Sequence, residues 1–564
     1  MSTPIRDPSP IWTRRIADEF WSGSVTPLTY SLLGEAMAEH LVRRPLRSAG
    51  LRELAELPIL HRHACHVYVN AGLLASVIEL LPAALRTDGL LDLLPAEARS
   101  RVGAGSSWIG GGATAVAIAL RSWLHEPAWA PWRRAAAFEV ECAAVRGELE
   151  KPLTFGGKPS PAEVVRELHK VRLRLGRYLD VVSWGVVFAY VFYHLLHELC
   201  RHWAPGLDAE RAALTVGLPG IASLEVHQEL RQLAALLAAD PAVAGALAAG
   251  GAQAVADALA GDAGASGSAF RRFLERHGHR LTGRDLACPT WRECPAMLVE
   301  LCLHRDPGPV RPAPLTTLDP SAAEVRRLEA TTRIERALAT PLHRGVFRLA
   351  LAWAQRYYAL RENMRYHADF FLARLREIAL ALARDLERDG RLAAADDVFW
   401  LDLAEFERAL TGDPTLAGVA RDRRRDAGAV ASPPPETLGN GPPSPPPREP
   451  TSVLTGEVGA PGRCRGRARL VRGPADFERV GDGEVLVAVY TDPGWTPILE
   501  RAAGLVLEAG GLLSHGAIVA RELAIPALVG VADALATIRD GDTVEVDGVG
   551  GAVTIVARAD ADSA

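Results

Sequence analysis

One histidine stands where a helix is predicted to begin, in the segment GGLLSHGAIVARELAIPALVG at 510–530. Ser514 is a typical helix N-cap, so His515 falls in the first turn, where free backbone N–H groups and the positive end of the helix dipole bind anions. An imidazole with the ordinary pKa of about 6.5 is mostly unprotonated at neutral pH and can act as a nucleophile. The pattern predicts a nucleophile at a phosphoryl-binding site. A histidine that serves only its loop is the alternative.

The elements that must position this histidine are predicted from the pattern of residues 453–558. Short apolar runs bounded by glycine or aspartate predict strands: GRARLV, EVLVAVY, GLVLE, ALVGV and DTVEVDG. Two helices interrupt them, one beginning near Thr496-Pro497 and the other near Ser514. These residues predict one small α/β domain.

The rest of the chain has a different character. Residues 1–425 are dominated by helical periodicity, as at 360–390, and include short extended pieces such as HVYVN at 66–70. Residues 426–452 are dense in proline and glycine and predict a flexible linker. The predicted fold class is therefore multi-domain, with a large mainly α-helical domain followed by a small α/β domain.

Composition narrows the class of protein. Hydrophobic residues make up 48% and charged residues 23%, and the net charge of -5 indicates neither nucleic acid nor a membrane surface as a partner. Seven cysteines without a CxxC pair argue against a disulfide framework, and the N-terminus has no apolar leader, so we expect a cytoplasmic protein. The apolar run at 181–196 is short of the roughly 20 residues that span a bilayer and predicts a buried core helix.

Residues 491–530 resemble the phosphohistidine signature of phosphoenolpyruvate-utilising enzymes, and LSHGAIVARE is most similar to the rifampicin phosphotransferase and phosphoenolpyruvate synthase-like branch. Weaker resemblances to its substrate-binding domain lie at 12–33, 66–70, 217–230, 277–291 and 396–406.

In that family a histidine on a swivelling domain accepts a phosphoryl group at an ATP-grasp domain and carries it to a second site. The resemblance implies that His515 is the carrier and that the small α/β domain is the swivelling domain. Ser514 and the backbone of Gly516 would cradle the phosphate. Arg521 would either contact the phosphate or pair with neighbouring carboxylates.

Two arginines are candidates for the acceptor site. Arg361 and Arg365 in RENMR are four residues apart, so both side chains can reach one anion. The segment resembles a family segment R-E-x-x-K, but arginine replaces the lysine, which puts a catalytic role there in doubt. The alternative is a solvated helix face with Glu362 as the counter-charge.

A second acceptor candidate is the GHR segment with His279 and Arg280. It resembles the family segment G-H-R-G-P-x-E, but Arg284 stands where the glutamate is expected and Thr290 where an arginine precedes tryptophan. A structural turn is the alternative. The helical, apolar composition suits a bulky, lipophilic acceptor.

A possible metal cluster consists of His61, His63, Cys65 and His66, whose alternate spacing suits a strand. A second group of ligands is not evident, and HVYVN matches a core element of the resemblance, so no metal site is predicted.

Members of the family usually begin with an ATP-grasp domain, which we do not recognise here. The glycines at 103–112 and the GGK at 156–158 fit neither GxGxxG nor a phosphate loop. The sequence therefore predicts one half of a split ATP-dependent phosphotransferase, with ATP and Mg²⁺ mainly on a separate ATP-grasp polypeptide, passing a phosphoryl group through His515 to a small molecule. The alternatives are a ligand-sequestering protein with a relic mobile domain and a phosphoenolpyruvate synthase-like half, which the absence of a large barrel domain disfavours.

Overall fold

The computed structural model describes residues 10–21, 23–80, 86, 91, 94–102, 131–151, 153, 160–304, 311–312, 320–428, 435–438, 452–491, 495–499, 501–512 and 514–559. The glycine-rich segments at 103–112 and 156–158 and most of the predicted linker lie outside these residues. The chain forms two compact units. The first contains Met1–Leu195, Arg284–Cys288 and His367–Ser444, and the second contains Leu196–Gly283, Pro289–Tyr366 and Pro445–Ala564.

Helices dominate the described chain, as the sequence predicts. The α-helices are Ala17–Phe20, Pro27–Thr29, Glu35–Met37, Arg44–Ser48, Arg52–Ala55, Ala71–Glu79, Ala96–Arg101, Pro131–Leu149, Pro161–Trp203, Asp208–Ala213, Ala222–Ala238, Pro241–Gly261, Ala265–His277, Pro295–Cys302, Pro320–Ala337, Pro341–Arg388, Leu403–Thr411, Leu416–Gly428, Thr496–Leu499, His515–Leu523 and Ala534–Thr537. Two π-helical segments, Tyr30–Gly34 and Ala38–Arg43, interrupt the early helices.

The strands are short and are numbered in chain order. They are β1 Trp12–Thr13, β2 Leu60–His63, β3 His66–Asn70, β4 Leu303–His304, β5 Arg311–Pro312, β6 Thr437–Leu438, β7 Val453–Thr455, β8 Glu457–Ala460, β9 Arg463–Val471, β10 Val485–Ala488, β11 Gly504–Leu507, β12 Ala527–Val529, β13 Thr543–Asp547 and β14 Ala552–Ala557. The predicted extended piece at 66–70 is β3, and Asn70 caps the helix that follows by accepting from Leu73 N.

The first unit contains a small antiparallel sheet with the order β2-β3-β1-β6. Its last strand, Thr437–Leu438, comes from the segment predicted to be a flexible linker, and it pairs with Trp12–Thr13. The Tyr68 hydroxyl also donates to Pro435 O at 2.7 Å. Residues 435–438 are therefore not part of a flexible linker as predicted, because an edge strand offers unpaired backbone groups to any extended segment beside it.

Two helices, Pro161–Trp203 and Pro241–Gly261, are long and apolar enough to cross a membrane by length and composition. The apolar run at 181–196 lies in the first of them. Val182 and Tyr193 are buried there, whereas Val187 and Val191 are 44% and 39% exposed. The run therefore forms a helix with one buried face, rather than the fully buried core helix that the sequence predicts.

The second unit contains the predicted α/β domain, in which all five predicted strands form. Its sheet has the order β7-β14-β13-β9-β10-β11-β12-β8, with β9 to β12 parallel and the outer strands antiparallel. Each face of the sheet carries its own apolar cluster. The helices at 196–283 and 289–366 belong to the same compact unit as this domain, so the unit differs from the predicted domain boundary.

Candidate functional site

The helix His515–Leu523, called the His515 helix below, begins where the sequence predicts. Ser514 is its N-cap, in extended conformation, and its hydroxyl accepts from Ala517 N at 3.5 Å. His515 is thus the first helical residue, at the end where backbone N–H groups are free to bind an anion. The helix ends at Leu523, and its C-cap Ala524 has a left-handed conformation (φ 55°), three residues before β12 begins.

The parallel strands place this helix terminus. The loop that carries His515 follows β11, and Thr491 follows the neighbouring parallel strand β10, so both lie beyond the carboxyl ends of adjacent strands. Ligands of α/β sheets bind at such edges. A Cβ at Gly516 would lie 2.5 Å from Leu507 Cδ1 and 2.7 Å from Thr491 Oγ1. Close packing therefore requires glycine at position 516. Thr491 lies beside the site, and the only sequence signal for it is its position at the end of a predicted strand.

His515 is only 2% exposed, and all nine residues of its helix are buried. The sequence predicts an anion site at this helix terminus, and the structure shows that the ring of His515 is buried there. His515, Ile518 and Glu522 share one helix face by their spacing of three and four residues. Ile518 is 3% exposed but does not belong to the apolar cluster that the helix forms with the sheet. This face is therefore covered from the side opposite the sheet.

Glu522 shows what covers it. Gly217 N donates to Glu522 Oε1 at 3.1 Å and to Oε2 at 3.0 Å, and Arg326 Nη2 donates to Glu522 O at 3.3 Å. Burial raises the pKa of Glu522 from 4.5 to about 7, and the Gly217 N–H and the nearby guanidinium groups of Arg521, Arg326 and Arg327 oppose that rise. The His515 helix is thus docked on the helical part of its own unit.

Arg521 is 4% exposed, and its guanidinium is engaged with the backbone. Its Nη1 donates to Gly459 O at 2.8 Å, and its Nη2 donates to Leu512 O at 2.6 Å. The guanidinium also hydrogen-bonds the hydroxyl of Tyr358, whose pKa is raised by burial. Arg521 therefore ties β8 and the loop before His515 together, and its contact with phosphate stays a prediction.

Tyr358 lies on the helix Pro341–Arg388, and Arg361 and Arg365 follow it at spacings of three and four residues on the same face. Arg361 and Arg365 are 4% and 7% exposed, and Arg361 Nη1 donates to Glu362 Oε1 at 3.0 Å. The alternative of a solvated helix face is therefore wrong. The structure brings the helix face of this acceptor candidate to the His515 helix through the contact between Tyr358 and Arg521.

His279 and Arg280 lie in the turn after the helix Ala265–His277 and are also buried. The Arg280 guanidinium stacks over Trp291 at 5.3 Å and over Tyr366 at 5.9 Å, and the His279 ring meets Tyr366 edge-on at 5.0 Å. Tyr366 follows Arg365 directly, so the two acceptor candidates meet on one helix. Their part in binding an acceptor stays a prediction.

The same place holds a hydrogen-bonded chain that the sequence did not reveal. His277 Nε2 lies 3.0 Å from Glu229 Oε2, and His277 Nδ1 lies 3.1 Å from the Tyr366 hydroxyl. Burial lowers the pKa of His277 to about 4, and the contact with Glu229 opposes that shift. The imidazole is therefore neutral at pH 7. The segment HGHR offered a signal for His277, but Glu229 is 48 residues away in sequence.

The histidines weighed as metal ligands lie in the first unit, on the hairpin of β2 and β3. Ala64 and Cys65 form its turn with positive φ, and the rings of His61 and His63 stack at 6.4 Å. A group of three or more His, Cys, Asp or Glu side chains that could hold a metal ion is not found among the described residues.

The first unit also contains an open cavity of about 820 Å³. Its lining includes Tyr30, Arg43, Arg62, Arg172 and Asp402, together with apolar side chains such as Ile59 and Leu60. It is more polar than the apolar pocket that the helical composition suggests.

Comparison with known proteins gives matches to two separate segments of the chain. Residues 480–551 match the PEP-utilising enzyme mobile domain, and residues 182–362 match the rifampicin phosphotransferase fourth domain. The first match contains the His515 helix, and the second contains Gly217, Tyr358 and Arg361.

Among the similar relatives, chondramide synthase of Chondromyces crocatus is 29% identical over 75% of this chain and 12% of its own length. Rifampicin phosphotransferase of Streptomyces sviceus is 30% identical over 64% of this chain and 43% of its own. Rifampicin phosphotransferase of Bacillus cereus is 41% identical over 19% of this chain and 12% of its own. The chain thus spans less than half the length of these relatives. Two segments of the chain are therefore similar to PEP-utilising enzymes of the rifampicin phosphotransferase type, one to their mobile domain and one to the fourth domain.

Proposed function

We propose that this chain is the phosphohistidine-carrying component of a split ATP-dependent phosphotransferase, and that His515 passes the phosphoryl group to a small-molecule acceptor on the helical part. The observation that carries the proposal is the docking of the Ser514-capped helix against the helix that holds Arg361 and Arg365. Phosphoryl transfer requires a nucleophile that carries the group and positive charge that binds it at the acceptor. A ring at a helix N-terminus can supply the first, and buried guanidinium groups can supply the second.

The chemistry consists of two displacements at phosphorus. In the first, a nitrogen of His515 attacks the donor phosphoryl group, so that a P–N bond forms as the P–O bond of the donor breaks. In the second, an acceptor hydroxyl attacks, a P–O bond forms as the P–N bond breaks, and the hydroxyl proton leaves to a base. Such transfer depends mainly on positioning and on neutralising charge. The backbone N–H groups at the start of the His515 helix would hold the phosphoryl oxygens.

We place ATP and Mg²⁺ on a separate ATP-grasp polypeptide. Among the described residues we find no group of three or more His, Cys, Asp or Glu side chains that could hold a metal ion. Bound on the partner, Mg²⁺ would neutralise charge on the donor phosphates. The match of residues 480–551 to the PEP-utilising enzyme mobile domain supports this arrangement. We expect the chain to act in the cytoplasm.

The burial of His515 has a direct consequence for this scheme. A ring that is 2% exposed does not reach a nucleotide on another polypeptide. The α/β domain must therefore undock before His515 is phosphorylated, and the docked arrangement corresponds to the acceptor station.

The test is labelling by an ATP-grasp partner with radiolabelled ATP. We expect a label that is stable in alkali and lost in acid, as a P–N bond requires. His515→Ala is expected to abolish it, and His169→Ala, which alters an exposed histidine far along the chain, is expected to retain it. A label that persists in His515→Ala refutes the carrier role. Labelling of the purified chain by ATP alone refutes the need for a partner.

The burial of His515 also supports a second candidate, a ligand-sequestering protein whose mobile domain is a relic. That candidate requires the ring to stay buried and unlabelled with every ATP-grasp partner tested, while the helical part still binds an amphipathic ligand. The labelling experiment therefore separates the two functions.

A further inference from the structure

The contact between Gly217 and Glu522 joins two segments that the chemistry described above does not use. Glu522 lies seven residues after His515 on the same face of the His515 helix and is 2% exposed. Both of its carboxylate oxygens accept from Gly217 N. This carboxylate is thus directed out of the α/β domain, away from the apolar cluster beneath the helix.

The segment around Gly217 is built to present that N–H group. Gly217 has a φ of +60°, and a Cβ there would lie 2.7 Å from Glu324 N and 2.8 Å from Ala323 C. Arg327 Nη1 donates to Val216 O at 3.1 Å and also to Gly217 O. Only glycine fits this backbone, and Arg327 holds its carbonyl groups in place, so the donor is preorganised.

Positive charge surrounds the same point. Arg326 donates to the main-chain oxygen of Glu522, and the Arg327 guanidinium lies close enough to oppose the rise in the pKa of the carboxyl. Both arginines belong to the helix Pro320–Ala337. An acidic side chain at this position meets one preformed donor and two cations, which together offset part of the cost of burying it.

We propose that Glu522 is a positioning residue that docks the His515 helix on the segment around Gly217 and so holds His515 at the acceptor station. The name acceptor station rests on the proposed function, but the docking of the His515 helix does not depend on it. In the carrier cycle, release of this carboxylate frees the α/β domain to present His515 to its phosphoryl donor.

Reversing the charge at Glu522 tests the docking role separately from a role of its shape or of its hydrogen bond. Glu522→Lys would bury a cation against Arg326 and Arg327, and an uncompensated buried charge disfavours the docked state strongly. Glu522→Gln keeps the shape and an oxygen that accepts from Gly217 N. Glu545→Lys is the matched control, because Glu545 is an exposed residue of β13 in the same domain.

The experiment measures the modification rate of His515 by diethylpyrocarbonate in the full chain, read by peptide mass spectrometry. We expect Glu522→Lys to raise the rate at His515 at least about tenfold, and Glu522→Gln and Glu545→Lys to stay within about twofold of the unaltered chain. Hydrogen exchange at the Val506 amide in β11 is expected to be the same in all four proteins, which shows that the α/β domain stays folded.

Two outcomes overturn the proposal. One is an unchanged rate at His515 in Glu522→Lys, and the other is a faster rate accompanied by lost protection at Val506, which indicates unfolding rather than undocking. The assay requires neither ATP nor a partner. If the reactivity series holds and His515 is never phosphorylated, the docking role stands and the carrier function fails.

Discussion

Docking of the His515 helix is expected to weaken as the pH rises from 6 to 8. In the docked state burial raises the pKa of Glu522 to about 7, whereas an undocked, solvated carboxyl has its ordinary value of 4.5. The docked state therefore binds a proton more tightly than the undocked state. Its extra stability is complete at low pH and is lost as the pH rises through 7.

The charged groups packed around Glu522 keep one charge state between pH 6 and pH 8. His515 lies on the same helix face, so the contribution of the Glu522 carboxyl is read from the difference between the unaltered chain and Glu522→Gln. Arg521 on its own helix and Arg326 and Arg327 on the helix Pro320–Ala337 are guanidinium groups, which stay charged over this range. Tyr358 on the helix Pro341–Arg388 has a pKa raised by burial, so it stays neutral. The negative charge of Glu362 contributes to the raised pKa of the Tyr358 hydroxyl.

The size of the effect follows from the two pKa values. At pH 6 the docking constant exceeds its high-pH limit about tenfold, and at pH 8 it is close to that limit, so the change is about tenfold, or about 1.4 kcal/mol. Glu522→Gln has no proton to exchange and is expected to show no such change.

The assay is hydrogen exchange at the Gly217 amide, which donates to Glu522 in the docked state. The protection factor, corrected for the intrinsic pH dependence of exchange, is expected to fall about tenfold between pH 6 and pH 8. The Val506 amide is the reference for global stability. A flat profile at Gly217, or an equal fall in Glu522→Gln, would refute the reasoning.

Three further substitutions test the packing and hydrogen bonding inside each unit. Gly516→Ala is expected to lower the free energy of unfolding by about 1–3 kcal/mol, because its Cβ would overlap Leu507 Cδ1; thermal denaturation measures it, and an unchanged melting temperature contradicts it. Ser514→Ala removes an N-cap and is expected to cost about 1 kcal/mol in the same measurement. Asp285→Ala strands the buried Thr26 N–H, which donates to Asp285 Oδ2 at 2.7 Å, and is expected to cost about 3 kcal/mol in urea denaturation. A loss below about 1 kcal/mol would show that water replaces the carboxylate.

The His515 helix and the strands around it were predictable from local sequence rules for helix caps and strands. The cap at Ser514, the apolar runs and their glycine boundaries are signals that act over a few residues, and the structure follows them. The same rules failed at Thr437–Leu438, because the strand that pairs with it, Trp12–Thr13, lies at the other end of the chain.

The sequence by itself determined that His515 begins a helix within a small α/β domain, because capping and periodicity are local. Only the tertiary structure decided that the ring is buried and that Arg361 and Arg365 are desolvated, because both depend on which faces pack together. The partner of Glu522 is 305 residues away at Gly217. Periodicity assigns a side chain to a face of its helix, but the element that covers that face is set by the packing of the whole chain.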